Sequence, residues 1–219
     1  MSHYFGVVLI RPLKEEMTHQ EVWAEVQRLM EPFDESIEVE PYKVYFKPSQ
    51  IVSMAQNYGT SDLPSLADHM IDWLGEPGGV DENGLYSLST YNPKSRYDYY
   101  SPGGRWNGQI RYQPRGDETG YNWDDEYHEL AENMVVLKTA DYAIDCYSIL
   151  TPDGEWHSRQ RPDVDLLVPD KGTSPEVIAV RRQLWNEQSQ ELDDLWKIER
   201  LDIFAHHSDC VAVGIDYHR

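Results

Sequence analysis

The sequence predicts an α+β fold: a mostly antiparallel mixed sheet packed by helices, in a single compact domain spanning residues 1–219. Three observations point there. Residues 4–10 (YFGVVLI) and 210–217 (CVAVGIDY) are short, apolar and rich in β-branched residues, as buried strands are. Apolar residues recur at helical spacing after Thr18 and after Asp62. Thr151-Pro152-Asp153-Gly154 is a turn between two strand-like runs, because proline presets φ and glycine accepts a positive φ. An order that opens strand–helix and later mixes hairpins with helices is that of the α+β class. The first and last strands are the most apolar, which places both near the sheet centre.

The elements follow in order. Thr18 and Glu21 form a capping box, and Val22, Trp23, Val26, Leu29 and Met30 then share a helical face that Pro32 ends. Residues 33–41 are an acidic connection to a short strand from Tyr42 to Phe46. Ser49 is the expected cap of a second helix through Tyr58, closed by Gly59. Asp62 opens a third, in which Leu63, Leu66, Ala67, Met70, Ile71 and Leu74 repeat, closed by Gly75. Residues 76–84 read as a Pro/Gly-rich loop before a strand at 85–91. A strand at 109–112, a polar helix at 123–133, and strands at 135–137, 142–150 and 155–157 are expected next. After a Pro/Asp-rich loop at 159–172, Ser174 caps and Pro175 starts a helix to about Arg200.

Composition bounds the function. The 219 residues are 40% hydrophobic and 12% aromatic, which suits a folded chain with a real core. No apolar run is long enough for a membrane span, and the N-terminal residues read as a strand and not as a signal peptide. Two cysteines, Cys146 and Cys210, make no disulfide framework, so a reducing, cytoplasmic setting is expected. The formal net charge of −20 opposes direct binding to nucleic-acid phosphates. The acids are spread along the chain and are densest from Asp117 to Glu132.

The best candidate for a recognition surface is residues 91–108, YNPKSRYDYYSPGGRWNG. So many rings outside any apolar period are costly to expose unless a partner covers them. Gly103 and Gly104 let backbone amides approach a ligand, and Arg105 offers a fork for phosphate or carboxylate. Tyr97, Tyr99, Tyr100 and Trp106 can stack on a base, and Asp98 lies among them. The alternative is that the rings fold inward, Arg105 pairs with Asp98, and the loop is a structural plug. The spacing is neither that of a P-loop nor that of a dinucleotide-binding turn.

Elsewhere the chemistry is sparser. His157 can act as a base or stack on a ligand, although nothing in the sequence fixes its partner. His206, His207, Asp209 and Cys210 are too nearly contiguous to converge on one ion without a tight turn; a site joining Asp216 and His218 to His157 is the alternative weighed, and no metal is expected. Cys146 beside Asp145 reads as a buried structural thiol and not as a nucleophile. No cofactor is expected.

Four segments carry a resemblance: EPFDESIEVEPY at 31–42, NPKSRYDYY at 92–100 with GGRWNG at 103–108, TPDGEWH at 151–157, and IDYH at 215–218. Together they resemble a family of short phage and bacterial proteins, mostly of unknown function, with an NPxSKWDWY…GGRWxG signature and a TPDGxWH turn. The likeness runs from residue 31 to the end with gaps. Tyr97 and Tyr99 stand where that family has tryptophan, Pro102 precedes the glycine pair, Tyr217 replaces cysteine, and a Gly-Trp-Phe-Gly patch after His157 is missing. The resemblance implies a phage setting, in the host cytosol, and no particular activity.

The favoured expectation is a protein that binds a nucleotide or nucleotide-like small molecule, in the manner of a counter-defence sequestering protein. Tyr97, Asp98, Tyr99, Tyr100, Gly103, Gly104, Arg105, Trp106 and His157 are its expected ligand-binding residues. The alternatives are an acidic nucleic-acid mimic that inhibits a host protein, and a hydrolase or transferase using Asp98, Arg105 and His157. The sequence leaves the oligomeric state open.

Overall fold

A computed structural model describes residues 2–12, 17–74, 77–110, 130–140, 144–162 and 173–219. Helices and strands combine in mixed sheets, an α+β fold. Contacts gather into two compact units, Met1–Pro32 with Tyr97–Arg219, and Phe33–Arg96.

The larger unit is built on a six-stranded sheet. Its strands are β1 (His3–Ile10), β5 (Tyr100–Pro102), β6 (Met134–Val136), β7 (Ser148–Leu150), β8 (Trp156–Ser158) and β9 (Val211–His218), in the order β5-β9-β1-β7-β8, with β6 also on β9. Only β1 and β7 pair in parallel; the other pairs are antiparallel. The two apolar end strands are neighbours at the sheet centre, as their composition predicts, with every residue from His3 to Ile10 paired to one from His218 to Val211. Both are apolar on alternate residues of both faces, the pattern of a strand covered twice.

One face holds Phe5, Val7, Leu9, Ile149 and Ala212 in a core completed by Ile110 and by Trp196 and Ile203 of α4 (Pro175–His206). Trp196 donates its indole N–H to the Cys146 carbonyl at 2.8 Å, so the ring is buried without an orphaned donor. Arg200, also buried, pairs with Asp145. At the other side of β1 lies α1 (His19–Met30), whose Val22, Val26, Leu29 and Met30 are buried. Each such side chain contributes about 1.5–3 kcal/mol of hydrophobic stabilisation. Thr18 and Glu21 close the α1 capping box: Thr18 N–H donates to Glu21 Oε2 at 2.8 Å, and Glu21 N–H to Thr18 Oγ1 at 3.3 Å. β7 and β8 form the expected hairpin, with Gly154 at φ 83° in its turn.

The smaller unit is a three-stranded antiparallel sheet, ordered β2 (Tyr42–Tyr45), β4 (Gly84–Ser89), β3 (Gly78–Asp81). With it are α2 (Pro48–Tyr58) and α3 (Leu63–Leu74), and Met54, Leu66, Ala67 and Leu85 form the core. Gly59 ends α2 in the left-handed region, φ 69°.

Several elements differ from the sequence expectation. The 76–84 loop contains β3, where the ring of Tyr86 lies over Gly79 so closely that a Cβ there would sit 2.7 Å from the phenol oxygen. The cap of α2 is Lys47 and not Ser49: Pro48 takes the first helical position, and Gln50 Oε1 accepts from the Lys47 N–H at 2.8 Å. Residues 109–110 lie in a turn and not a strand, and 130–133 form a 3-10 turn. The remainder of those two expected elements, and most of the acidic stretch at 117–132, lie outside the described residues. The strand at 142–150 is confined to Ser148–Leu150 among the described residues, and α4 continues past Arg200 to His206. No described helix is long and apolar enough to cross a membrane.

Candidate functional site

The pairing of β1 with β9 determines which polar groups meet. His3 lies opposite His218, and Phe5 opposite Asp216, so His3, Asp216 and His218 share one sheet face at the end where the apolar core stops. The two imidazoles touch, with ring centroids 3.9 Å apart and planes at 69°. His3 Nδ1 lies 2.9 Å and 3.1 Å from the two oxygens of Asp216. His218 Nδ1 lies 3.7 Å from Asp98 Oδ1. Two histidines therefore sit in contact, each with its own carboxylate.

The glycine loop braces this corner. Gly103 donates its N–H to the Gly214 carbonyl at 2.9 Å, and the chain then turns over β9. Gly104, at φ 49°, passes so close to Asp216 that a Cβ would meet the Asp216 Cβ at 2.3 Å. The next amide, Arg105 N–H, donates to Asp216 Oδ2 at 3.1 Å. Asn133, itself buried, accepts the Gly108 N–H at 2.9 Å and donates to Asn107 Oδ1 at 2.7 Å. A Cβ on Gly103 would strike its amide at 2.4 Å. The glycines are thus required by close approach to β9 and Asn133.

The loop divides the expected site residues into two groups. Tyr97 is buried and donates its hydroxyl to the Met30 carbonyl at 3.2 Å. Tyr100 packs edge-on against Tyr97 at 5.0 Å and lies 5.8 Å from Trp23. Trp106 stacks on Phe5 at 6.0 Å, against the core. These three rings are packing. Asp98, Tyr99, Gly104 and Arg105 meet His3, Asp216 and His218, and Gly103 shapes the bend. Tyr99 is 51% exposed, and its ring centre lies 5.4 Å from that of His218. Exposure rises outward: the side chains of Asp216, His3, His218 and Asp98 are 7%, 17%, 19% and 30% exposed.

His157 is not part of this corner. It lies on β8, with β1 and β7 between it and β9, and its Nδ1 is 3.0 Å from Glu199 Oε1 of α4. The join of His157 to Asp216 and His218 weighed from the sequence is therefore not made. Among the described residues no group of three or more His, Cys, Asp or Glu side chains is placed to hold a metal ion. Burial pushes the Cys146 thiol well up and raises that of Cys210. Neither has the low thiol pKa of a nucleophile.

Chemically, a carboxylate at Nδ1 fixes the imidazole: the ring proton stays on Nδ1, and Nε2 is left to accept a proton or, once protonated, to donate. His3 has this arrangement. Sequence reasoning missed His3 altogether. Its partner is 213 residues away, and only the register of β1 on β9 joins them.

No known protein family, curated protein or solved structure matches the chain.

Proposed function

We propose that the corner formed by His3, His218, Asp98 and Tyr99 binds a nucleotide or nucleotide-like small molecule, and that the protein sequesters it in a phage counter-defence setting. The observation that carries this reading is the His3–His218 contact beside the exposed Tyr99 ring. Paired imidazoles offer hydrogen bonds to one phosphate, and an open aromatic face accepts a base by stacking. The net charge of −20 favours a small anion held by local groups over a polyanion.

The test is isothermal titration with AMP, ADP, 3′,5′-cyclic AMP and a cyclic dinucleotide. Binding of at least one is expected. Tyr99→Ala should weaken it by about fivefold or more, the lower end of base stacking. His218→Gln and His3→Gln should each weaken it as well. Absence of binding to every nucleotide, or unchanged affinity in all three variants, would overturn the reading.

The His3 Nδ1–Asp216 contact favours a second reading: hydrolysis or transfer at the phosphate of the same ligand, with His3 as the base. Chromatography of each nucleotide after incubation separates the two, since a sequestering protein returns its ligand intact.

A further inference from the structure

The 32-residue helix α4 presents a second surface, independent of the histidine corner. Its inner side holds Trp196, Arg200 and Ile203. On the opposite side, residues spaced alternately by three and four form a continuous seam: Val177, Val180, Leu184, Glu187, Glu191, Asp194, Ile198, Leu201 and Ala205. The apolar members are well exposed, with Ile198 at 67% and Val180 at 57%, and Leu195 adds to the patch. A single exposed leucine requires no explanation, but this many on one helix stripe mark an interaction surface.

The seam is not uniformly apolar. Two apolar turns at the start and two at the end flank a middle made of Glu187, Glu191 and Asp194. Around that middle, Gln190, Leu195 and Ile198 join Glu187, Glu191 and Asp194 in an open, largely apolar stretch of surface edged by carboxylates. Apolar walls with carboxylates suit a long side chain that has an aliphatic stem and a cationic head. A second copy of α4 paired along the whole seam is disfavoured. Antiparallel pairing of the seam sets Glu191 against itself and Glu187 against Asp194. Parallel pairing sets each acid against its twin, and like charges at seam positions are repulsive.

We propose that the outer face of α4 docks an amphipathic helix of a different protein, whose seam is apolar at both ends and carries lysine or arginine at its centre. The ends supply buried apolar area, and the central cations meet the acidic middle of the seam and set the register. A partner that is apolar throughout leaves three carboxylates without counter-charge, and an acidic centre is repelled, so the middle acts as the selectivity element.

The test uses the full chain and two synthetic helical peptides about four heptads long, with leucine seams at both ends and either lysine or glutamate at the central seam positions. Fluorescence anisotropy should show binding of the lysine peptide, at least tenfold tighter than the glutamate peptide and weakening with salt. Ile198→Asp with Leu184→Asp should abolish it. The triple variant Glu187→Lys, Glu191→Lys, Asp194→Lys should reverse the preference. All these side chains are exposed, so circular dichroism of each variant should match the parent. Equal binding of both peptides, no binding of either, or indifference to the substitutions overturns the proposal. So does a dimer in sedimentation equilibrium that Ile198→Asp dissociates, since the occupant is then a second copy.

Discussion

His3 Nδ1 lies 2.9 Å from Asp216 Oδ1, joining the two central strands through one contact across 213 residues of chain. Asp216 also accepts the Arg105 amide, so one buried carboxylate serves two donors. Asp216→Ala leaves both donors without their acceptor and should cost about 2–4 kcal/mol of unfolding free energy. Asp216→Asn keeps one oxygen and should cost less than alanine does. Urea denaturation of the three proteins checks this ranking, and equal stability of all three would show that the carboxylate contacts carry none.

Gly104 and Gly59 both have positive φ, but their surroundings differ. Gly59, at φ 69°, has nothing within 4 Å of a Cβ, so Gly59→Ala should cost about 1 kcal/mol, the backbone penalty alone. Gly104→Ala adds a collision with Asp216 and should cost about 3 kcal/mol or more. Comparable midpoints for the two variants would contradict the close crossing of the loop over β9.

Lys43 and Asp81 make a 2.6 Å ion pair in the smaller unit. The Lys43 ammonium, followed by the Asn83 backbone N–H, holds the Asp81 carboxyl below its ordinary value. A lowered folded value means stability that is present above the unfolded aspartate pKa of about 3.9 and lost as pH falls through the folded value. Asp81→Asn should therefore be less stable than the parent at pH 6, with the gap narrowing by pH 2.5. A gap independent of pH would remove the electrostatic explanation.

Thr18 and Glu21 satisfy two amides reciprocally at the start of α1. Thr18→Ala should cost about 1 kcal/mol. The double variant with Glu21→Ala should cost less than the sum of the singles, because each change disables the same box. Additivity in thermal or urea unfolding would show that the two groups act separately.

What the sequence made legible depended on how local the cause was. The capping box, the Gly59 terminator and the 151–154 turn are set by neighbouring residues, and each stands where residue chemistry puts it. The central position of β1 and β9 follows from apolarity on both faces of each strand. β3 was hidden because Gly78-Gly79-Val80-Asp81 has neither alternation nor bulk; it pairs with β4, and the Tyr86 ring of β4 covers Gly79. The aromatic loop was half legible. Asp98 and Tyr99 do reach a polar corner, yet Tyr97 and Trp106 turn inward, and a ring destined for the core has the same composition as one awaiting a base. His3 was not legible, since its environment is created by strand register alone.

That register has a kinetic consequence. Ile10 pairs with Val211, so on a ribosome adding 5–20 residues per second β1 emerges about 10–40 s before its antiparallel neighbour exists. Throughout that interval a run of Val7, Val8, Leu9 and Ile10 presents a bare, sticky edge. Burial of that edge therefore waits until residues 211–218 have been made, and the central pair of the sheet closes late.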